Sequence, residues 1–148
     1  MIKFTKNNFE KCKLITWDDV IEKLSFEFEA SKPKFIFKDK FTPPSFVMHT
    51  KIFPNTLRIA FDEIKSRENI LDMHVYMSLG KNSSTFGRHK DSDHVLIVQA
   101  IGNAEYSFDD GKKIYLEPGD SLAIKEGVYH TPMVFGPRVT LSACLPKW

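Results

Sequence analysis

The second half of this chain is cut into short pieces. After Gly80, six apolar or alternating runs follow one another: Val95 to Ile101, Glu105 to Phe108, Lys113 to Leu116, Ser121 to Ile124, Val128 to Val134 and Arg138 to Leu145. Between them stand "DDGK", "EPGD", "KEG" and "FGPR". These are turn chemistries, because glycine supplies positive φ, proline presets its own φ and aspartate bonds its neighbours' backbone. A parallel pairing needs a crossover of a dozen or more residues. No gap between consecutive runs is that long and no crossover helix intervenes, which argues for antiparallel pairing. The spacing predicts an antiparallel sandwich or barrel, an all-β-dominated fold.

The first half reads differently. "TWDDVIEKLSFEFE" predicts a helix with Thr16 as its cap, Asp19 at the third helical position, and an apolar stripe of Trp17, Val20, Ile21 and Leu24. "KFIFKD" predicts a strand, Pro43-Pro44 a break, and "SFVMHT" a second short strand. "TLRIAFDEIKSRE" is helical again, through Leu57, Ala60, Phe61 and Ile64, and "ILDMHVYMSLG" is a strand ending at Gly80. We therefore expect one domain over residues 1–148: an N-terminal layer of helices and flanking strands over 1–80, and core strands over 81–148.

Two cysteines, Cys12 and Cys144, are too few for a disulfide scaffold and fit a reducing compartment. The start "MIKFTKNNFEKCK" lacks the apolar run of a signal peptide, and no run reaches membrane-spanning length, so a cytoplasmic location without membrane contact is expected. The net charge is only +2, but lysines crowd the first forty residues. In "KPKFIFKDK" they alternate with aromatics. Two readings stay open. Lys32, Lys34, Lys38 and Lys40 mark the solvated face of an edge strand around Phe35, Ile36 and Phe37, or they form a weak contact for nucleic acid or another polyanion. Exposed strand edges also leave room for a homodimer.

The stretch "GRHKDSDHVLIVQAIG" carries the chemistry. Charge before a long buried strand is costly unless something binds it. His89 and Asp91 are two apart, so on a strand they aim the same way. His130 follows a turn, a strand and another turn. Two histidines and one carboxylate on a common point make the facial triad of non-haem Fe(II) oxygenases, with positions left for other ligands. Each residue also has a plainer reading: His89-x-Asp91 as a surface turn, His130 as a core histidine bonded to a carbonyl. His94 could stand in for His89, and Asp93 for Asp91. No pattern links His49 or His74 to the site, and Asp120 reads as the cap of its own turn.

"HKDSDHVLIVQAIGNAEY" followed by "LEPGDSLAIKEGVYH" resembles the cupin-like JmjC family of 2-oxoglutarate- and Fe(II)-dependent oxygenases, nearest its ribosomal-protein hydroxylase branch. The resemblance runs from about Val75 to Leu145. It implies a double-stranded β-helix (jelly roll, cupin) and iron ligands at His89, Asp91 and His130. Gln99, Gly102, Pro118, Gly119, Asp120 and Gly127 also match, while Tyr106 stands where the family usually has tryptophan. "VYMSLGKNSSTFGRH" resembles the strand and loop leading to the first ligand.

One departure matters. The basic residue that commonly binds the far carboxylate of 2-oxoglutarate, fifteen residues after the first histidine, is Ala104 here. Lys125 also replaces an expected proline. A substitute clamp is offered by Arg138 and Thr140, which share a strand face with Ser142 and Cys144, opposite Val139, Leu141, Ala143 and Leu145. A guanidinium fork matches a carboxylate; the plainer reading has Arg138 facing water after the Gly136-Pro137 turn. Tyr76, Thr85 and Gln99 are further candidates for co-substrate contact, and Phe46 to His49 for the substrate mouth. The implied activity is an Fe(II)- and 2-oxoglutarate-dependent hydroxylase of an unspecified protein, nucleic-acid or small-molecule substrate. The alternatives are a cupin metalloenzyme that uses no 2-oxoglutarate, which Ala104 favours, and a metal-free binding barrel.

Overall fold

The computed structural model describes residues 1–30 and 33–148. Ten strands, two α-helices and one 3-10 turn follow in order. They are β1 (Ile2–Thr5), the 3-10 turn (Glu10–Leu14), α1 (Trp17–Glu29), β2 (Lys34–Ile36), β3 (Ser45–Met48), α2 (Thr56–Arg67) and β4 (Asp72–Ser78). Then come β5 (His94–Ile101), β6 (Ala104–Phe108), β7 (Lys113–Leu116), β8 (Ser121–Ile124), β9 (His130–Val134) and β10 (Arg138–Leu145). The expected strands after Gly80 are all present, within two residues of their predicted ends. Two elements carried no recognised signal: β1, which is short and exposed at the adjacent Lys3 and Phe4, and the 3-10 turn.

The strands form two antiparallel sheets, one of seven strands ordered β1-β8-β5-β10-β4-β3-β2 and one of three ordered β7-β6-β9. This is a double-stranded β-helix with flanking helices. Strand β5 is an interior strand of the large sheet, between β8 and β10, and both its faces are covered. Leu96, Val98 and Ala100 meet the layer built by Phe9, Val20, Leu57, Ala60 and Ile64. Val95 and Ile97 face Tyr106, Phe108 and Leu116, across the sandwich. Burial on both sides explains why "VLIVQAI" is almost continuously apolar rather than alternating.

Strand β10 alternates as the sequence predicts. Val139, Leu141 and Ala143 enter the helical core. Arg138, Thr140 and Ser142 face the other way and line a cavity between the sheets. Register continues the pattern onto β4, where Arg138 pairs Ser78, Thr140 pairs Tyr76 and Ser142 pairs His74. Gly102 turns β5 into β6 at φ +69°, and a Cβ there would run into the Pro137 carbonyl, so only glycine fits.

Helix α1 departs from expectation. Thr16 does cap it, accepting from Asp19 N at 3.3 Å. But of the predicted apolar stripe Val20 alone is fully buried; Leu24 is half-buried, and Trp17 and Ile21 stay substantially exposed. The buried face instead carries Asp19, Lys23 and Glu27, one turn apart. These charges grip the segment between β3 and α2. Glu27 accepts from the backbone N–H groups of His49 and Thr50. Lys23 Nζ donates to the carbonyls of Thr50 (2.8 Å) and Ile52 (2.6 Å). Asp19 accepts from Thr56 N at 3.0 Å and so caps α2, whose own N-cap residue Asn55 makes no such bond. Hydropathy alone misplaces this face because irregular backbone, not apolar surface, is what it covers.

Strand β2 is the outer strand of the large sheet, as the edge-strand reading expects. Lys34, Lys38 and Lys40 are exposed, while Lys32 lies outside the described residues. Phe35 and Phe37 are exposed as well, so the aromatics at this edge are not simply its buried side. No helix of the described residues is long and apolar enough to cross a membrane.

Candidate metal centre

His89 and His130 are brought together by backbone before side chains enter. The two residues form an isolated antiparallel bridge and exchange both bonds: His89 N to His130 O at 3.0 Å and His130 N to His89 O at 2.8 Å. His89 therefore lies in a single bridge rather than a regular strand, and Asp91 lies in the loop before β5. That loop is pinned by Gly127 N donating to Asp91 O at 2.9 Å. The shared aim of His89 and Asp91 comes from this cross-tie, not from the strand alternation that predicts it.

The side chains converge. The rings of His89 and His130 have centroids 4.4 Å apart. The Asp91 carboxylate approaches His130 Nε2 at 3.4 Å and His89 Nε2 at 3.9 Å. One ligand atom from each of the three residues lies within 4.8 Å of the others. Each imidazole holds a carbonyl two residues back through Nδ1: His89 to Gly87 O at 2.8 Å, His130 to Val128 O at 2.9 Å. An Nδ1–H that donates leaves Nε2 with a free lone pair, and both Nε2 atoms point at the carboxylate. Burial lowers the pKa of His130, which favours the neutral ring a metal needs. Two neutral imidazoles and a carboxylate, oriented by outer bonds, fit a divalent cation such as Fe(II).

Neither His94 nor Asp93 joins this cluster. His94 Nδ1 accepts from Glu126 N at 3.0 Å and its ring neighbours Trp148. Asp93 is exposed beside Ser92. His49 and His74 lie near Glu27 and Asp72. Asp120 accepts from Glu117 N at 2.9 Å, closing its own turn, and from Asn7 N at 2.8 Å, tying in the N-terminal segment.

Arg138 opens onto the same cavity and is only 4 % exposed. It does not face water. Its Nε donates to Ser78 Oγ at 2.8 Å and its Nη1 to Thr140 Oγ1 at 2.9 Å. Among the described residues no carboxylate pairs with it. An unpaired buried cation is costly, and burial does lower its pKa. Ala104 is buried on β6, in the small sheet.

Tyr76, Thr85 and Thr140 line the cavity. Burial, then the Asp91 charge, push the Tyr76 hydroxyl up to about 12, so it stays protonated and can donate. Gln99 does not line the cavity: its Oε1 accepts from Thr140 Oγ1 at 2.8 Å, and its Nε2 donates to the carbonyls of Ile101 and Gly102 at 3.0 Å each. It fixes Thr140, which bonds Arg138.

Two contributors escape the sequence reading. Ser78 holds Arg138 and is held by Ser45 at 2.7 Å. Phe86 stands between Tyr76 (6.1 Å) and His89 (5.5 Å) at the mouth. The alternation of β4 places Ser78 on the Tyr76 face; Phe86 sits in a loop, where no periodicity applies.

Neither a protein-family model nor a curated protein sequence matches the chain. Solved structures do. A structure of YcfD, a ribosomal oxygenase from Escherichia coli, superposes with a TM-score of 0.64 at 20 % identity, over 96 % of this chain and 46 % of that one. A second structure of the same protein gives 0.67 at 19 % identity, over 96 % and 48 %. A third, with cobalt and 2-oxoglutarate, gives 0.64 at 18 % identity, over 97 % and 47 %. This chain thus has the cupin-like, double-stranded β-helix fold seen in that ribosomal oxygenase. It spans about half the length of those chains.

Proposed function

We propose that this protein is an Fe(II)- and 2-oxoglutarate-dependent oxygenase that hydroxylates its substrate within a single cupin domain over residues 1–148. The observation that carries the reading is Arg138: a buried guanidinium without a carboxylate partner, facing the cavity that holds His89, Asp91 and His130. A cavity that joins a cation-binding triad to an unpaired fixed cation suits a small dianion able to reach both. The structures of YcfD with cobalt and 2-oxoglutarate and with cobalt and succinic acid support the same choice.

His89, Asp91 and His130 would hold the iron, which when bound supplies the one-electron chemistry with dioxygen that side chains lack. Arg138 takes the far carboxylate of 2-oxoglutarate. The Thr140 hydroxyl is occupied with Arg138 and Gln99, and so sets the direction of the guanidinium. Tyr76 donates its retained proton toward the same oxygens, with Thr85 beside it. Ile36, Phe86, Ile97, Tyr106 and Pro132 add largely apolar surface to the lining and limit water. The absence of a basic residue at Ala104 is met by moving the cation to β10.

Anaerobic titration of the Fe(II)-loaded protein with 2-oxoglutarate tests the reading. A new ligand-dependent visible band is expected under anaerobic conditions, and substrate-independent formation of succinate once dioxygen is admitted. Stoichiometric metal without either result would favour the cupin metalloenzyme that uses no 2-oxoglutarate; no metal uptake at all would leave a binding barrel.

A further inference from the structure

A second groove adjoins the metal cavity. It lies between the segment after β2 and the loop after β4, and is lined by Phe37, Lys38, Lys81, Asn82, Ser83 and Thr85, among others. Thr85 also lines the metal cavity, so the two are neighbours across that residue. The groove's walls are tied together. Lys38 N donates to Ser84 Oγ at 2.9 Å, Ser84 N donates to Pro43 O at 2.9 Å, and Ser83 Oγ accepts from Leu79 N and Gly80 N.

Two properties need a partner. No carboxylate lines the groove, and Lys38 and Lys81 make no ion pair among the described residues. Lys34 and Lys40 add exposed positive charge nearby. Around the groove, flat apolar rings also stand in water: Phe37 is 61 % exposed and Phe86 53 %. The Phe35 ring neighbours Phe37 at 5.8 Å, and Phe86 reaches to the His89 ring. Cations along a groove with one exposed ring in its wall, and a second exposed ring on the neighbouring metal cavity, match a single strand of nucleic acid, whose phosphates take the lysines and whose bases stack on aromatic faces. An acidic peptide would use the lysines and leave the rings bare. An anionic membrane would reach rings on a protruding surface but not lysines lining a groove.

We propose that this groove binds single-stranded nucleic acid, with Lys38 and Lys81 on phosphates and Phe37 and Phe86 under bases, and that it delivers a nucleotide to the metal cavity. The binding half stands on the groove alone; the delivery half rests on the oxygenase reading above.

The test is fluorescence anisotropy of a labelled 12-nucleotide oligo(U) or oligo(dT) with the full chain in EDTA, across a salt series. Binding is expected to weaken with salt, with a log–log slope of about −1.4 or steeper for two or more phosphate contacts. K38E/K81E should weaken binding at least about tenfold and flatten the slope, with an unchanged melting temperature, since both side chains are exposed. F37A should weaken it about fivefold or more. Absence of binding, or binding indifferent to K38E/K81E, overturns the proposal. So does stronger K38E/K81E-sensitive binding to poly-glutamate or to phosphatidylserine vesicles, which would assign the groove to those partners. Because EDTA removes metal, the two readings fail separately. Oligonucleotide binding without a 2-oxoglutarate band sinks the oxygenase reading; the band without oligonucleotide binding sinks this one.

Discussion

Arg138 shows how much one residue's meaning depends on its surroundings. After a Gly-Pro turn, an arginine ordinarily faces water. Here β4 and the Gly102 turn flank it, two hydroxyls hold it, and no carboxylate meets it among the described residues. Replacing it with glutamine removes charge at similar volume. R138Q is expected to take up metal as the wild type does and to lose 2-oxoglutarate affinity at least about thirtyfold, the cost of unpairing one buried charge; titration of the visible band checks this. S78A leaves the guanidinium Nε–H without its acceptor. It should cost about 1–3 kcal/mol of stability in urea melts and weaken 2-oxoglutarate binding while sparing metal affinity. Of the triad, the residue types and their separation were legible in the sequence. The tautomers were not, because Gly87 O and Val128 O become partners only when the backbone folds back on each side of the bridge.

At the scale of elements, the strands were readable and helix α1 was not. A strand in this sandwich announces itself by alternation or by a continuous apolar run, and turn residues mark its ends. Helix α1 buries Asp19, Lys23 and Glu27 to satisfy loop backbone, which hydrophobic periodicity cannot detect. Lys23 provides a test. Burial lowers its pKa from 10.5 to about 8. Between those values the unfolded chain binds more protons than the folded one, so stability rises with pH. The burden of a buried ammonium is full below pH 8 and fades as pH climbs toward 10.5. The neutral amine still has two hydrogens for Thr50 O and Ile52 O. The stability of the wild type relative to K23M should therefore improve by up to about 1.4 kcal/mol per pH unit above pH 8, read from denaturant melts at pH 7.5, 8.5 and 9.5. Cys12, whose thiol burial pushes up to about 12, works in the opposite sense above its unfolded value near 9, and the paired comparison cancels it.

At the scale of the whole molecule, the large sheet separates two apolar clusters, and the candidate metal centre sits on the side of the smaller sheet. A cation held by His89 and Asp91 on the loop and His130 on β9 links segments from both sheets. A metal that binds only the folded state stabilises it by mass action, about 4 kcal/mol at a thousand times its dissociation constant. Manganese(II) should raise the melting temperature of the wild type, EDTA should reverse the rise, and D91A should show none. Leu141 lies at the junction of β10 with the helical layer, fully buried. L141A should cost about 2–5 kcal/mol in the same melts, with metal uptake retained by the folded fraction.

The order of turns and short apolar runs after Gly80 was enough to point to an antiparallel β fold, because gaps of a few residues leave no room for a crossover between consecutive strands. It also determined which face of β10 carries Arg138 and Thr140, since side chains alternate along a strand. Only tertiary structure decided that Arg138 is buried rather than solvated, that Gln99 bonds Thr140 instead of lining the cavity, and that Asp91 rather than Asp93 meets the histidines. Those outcomes depend on what packs across from each residue, and a linear pattern records direction along one element but not the neighbour that folding brings opposite it.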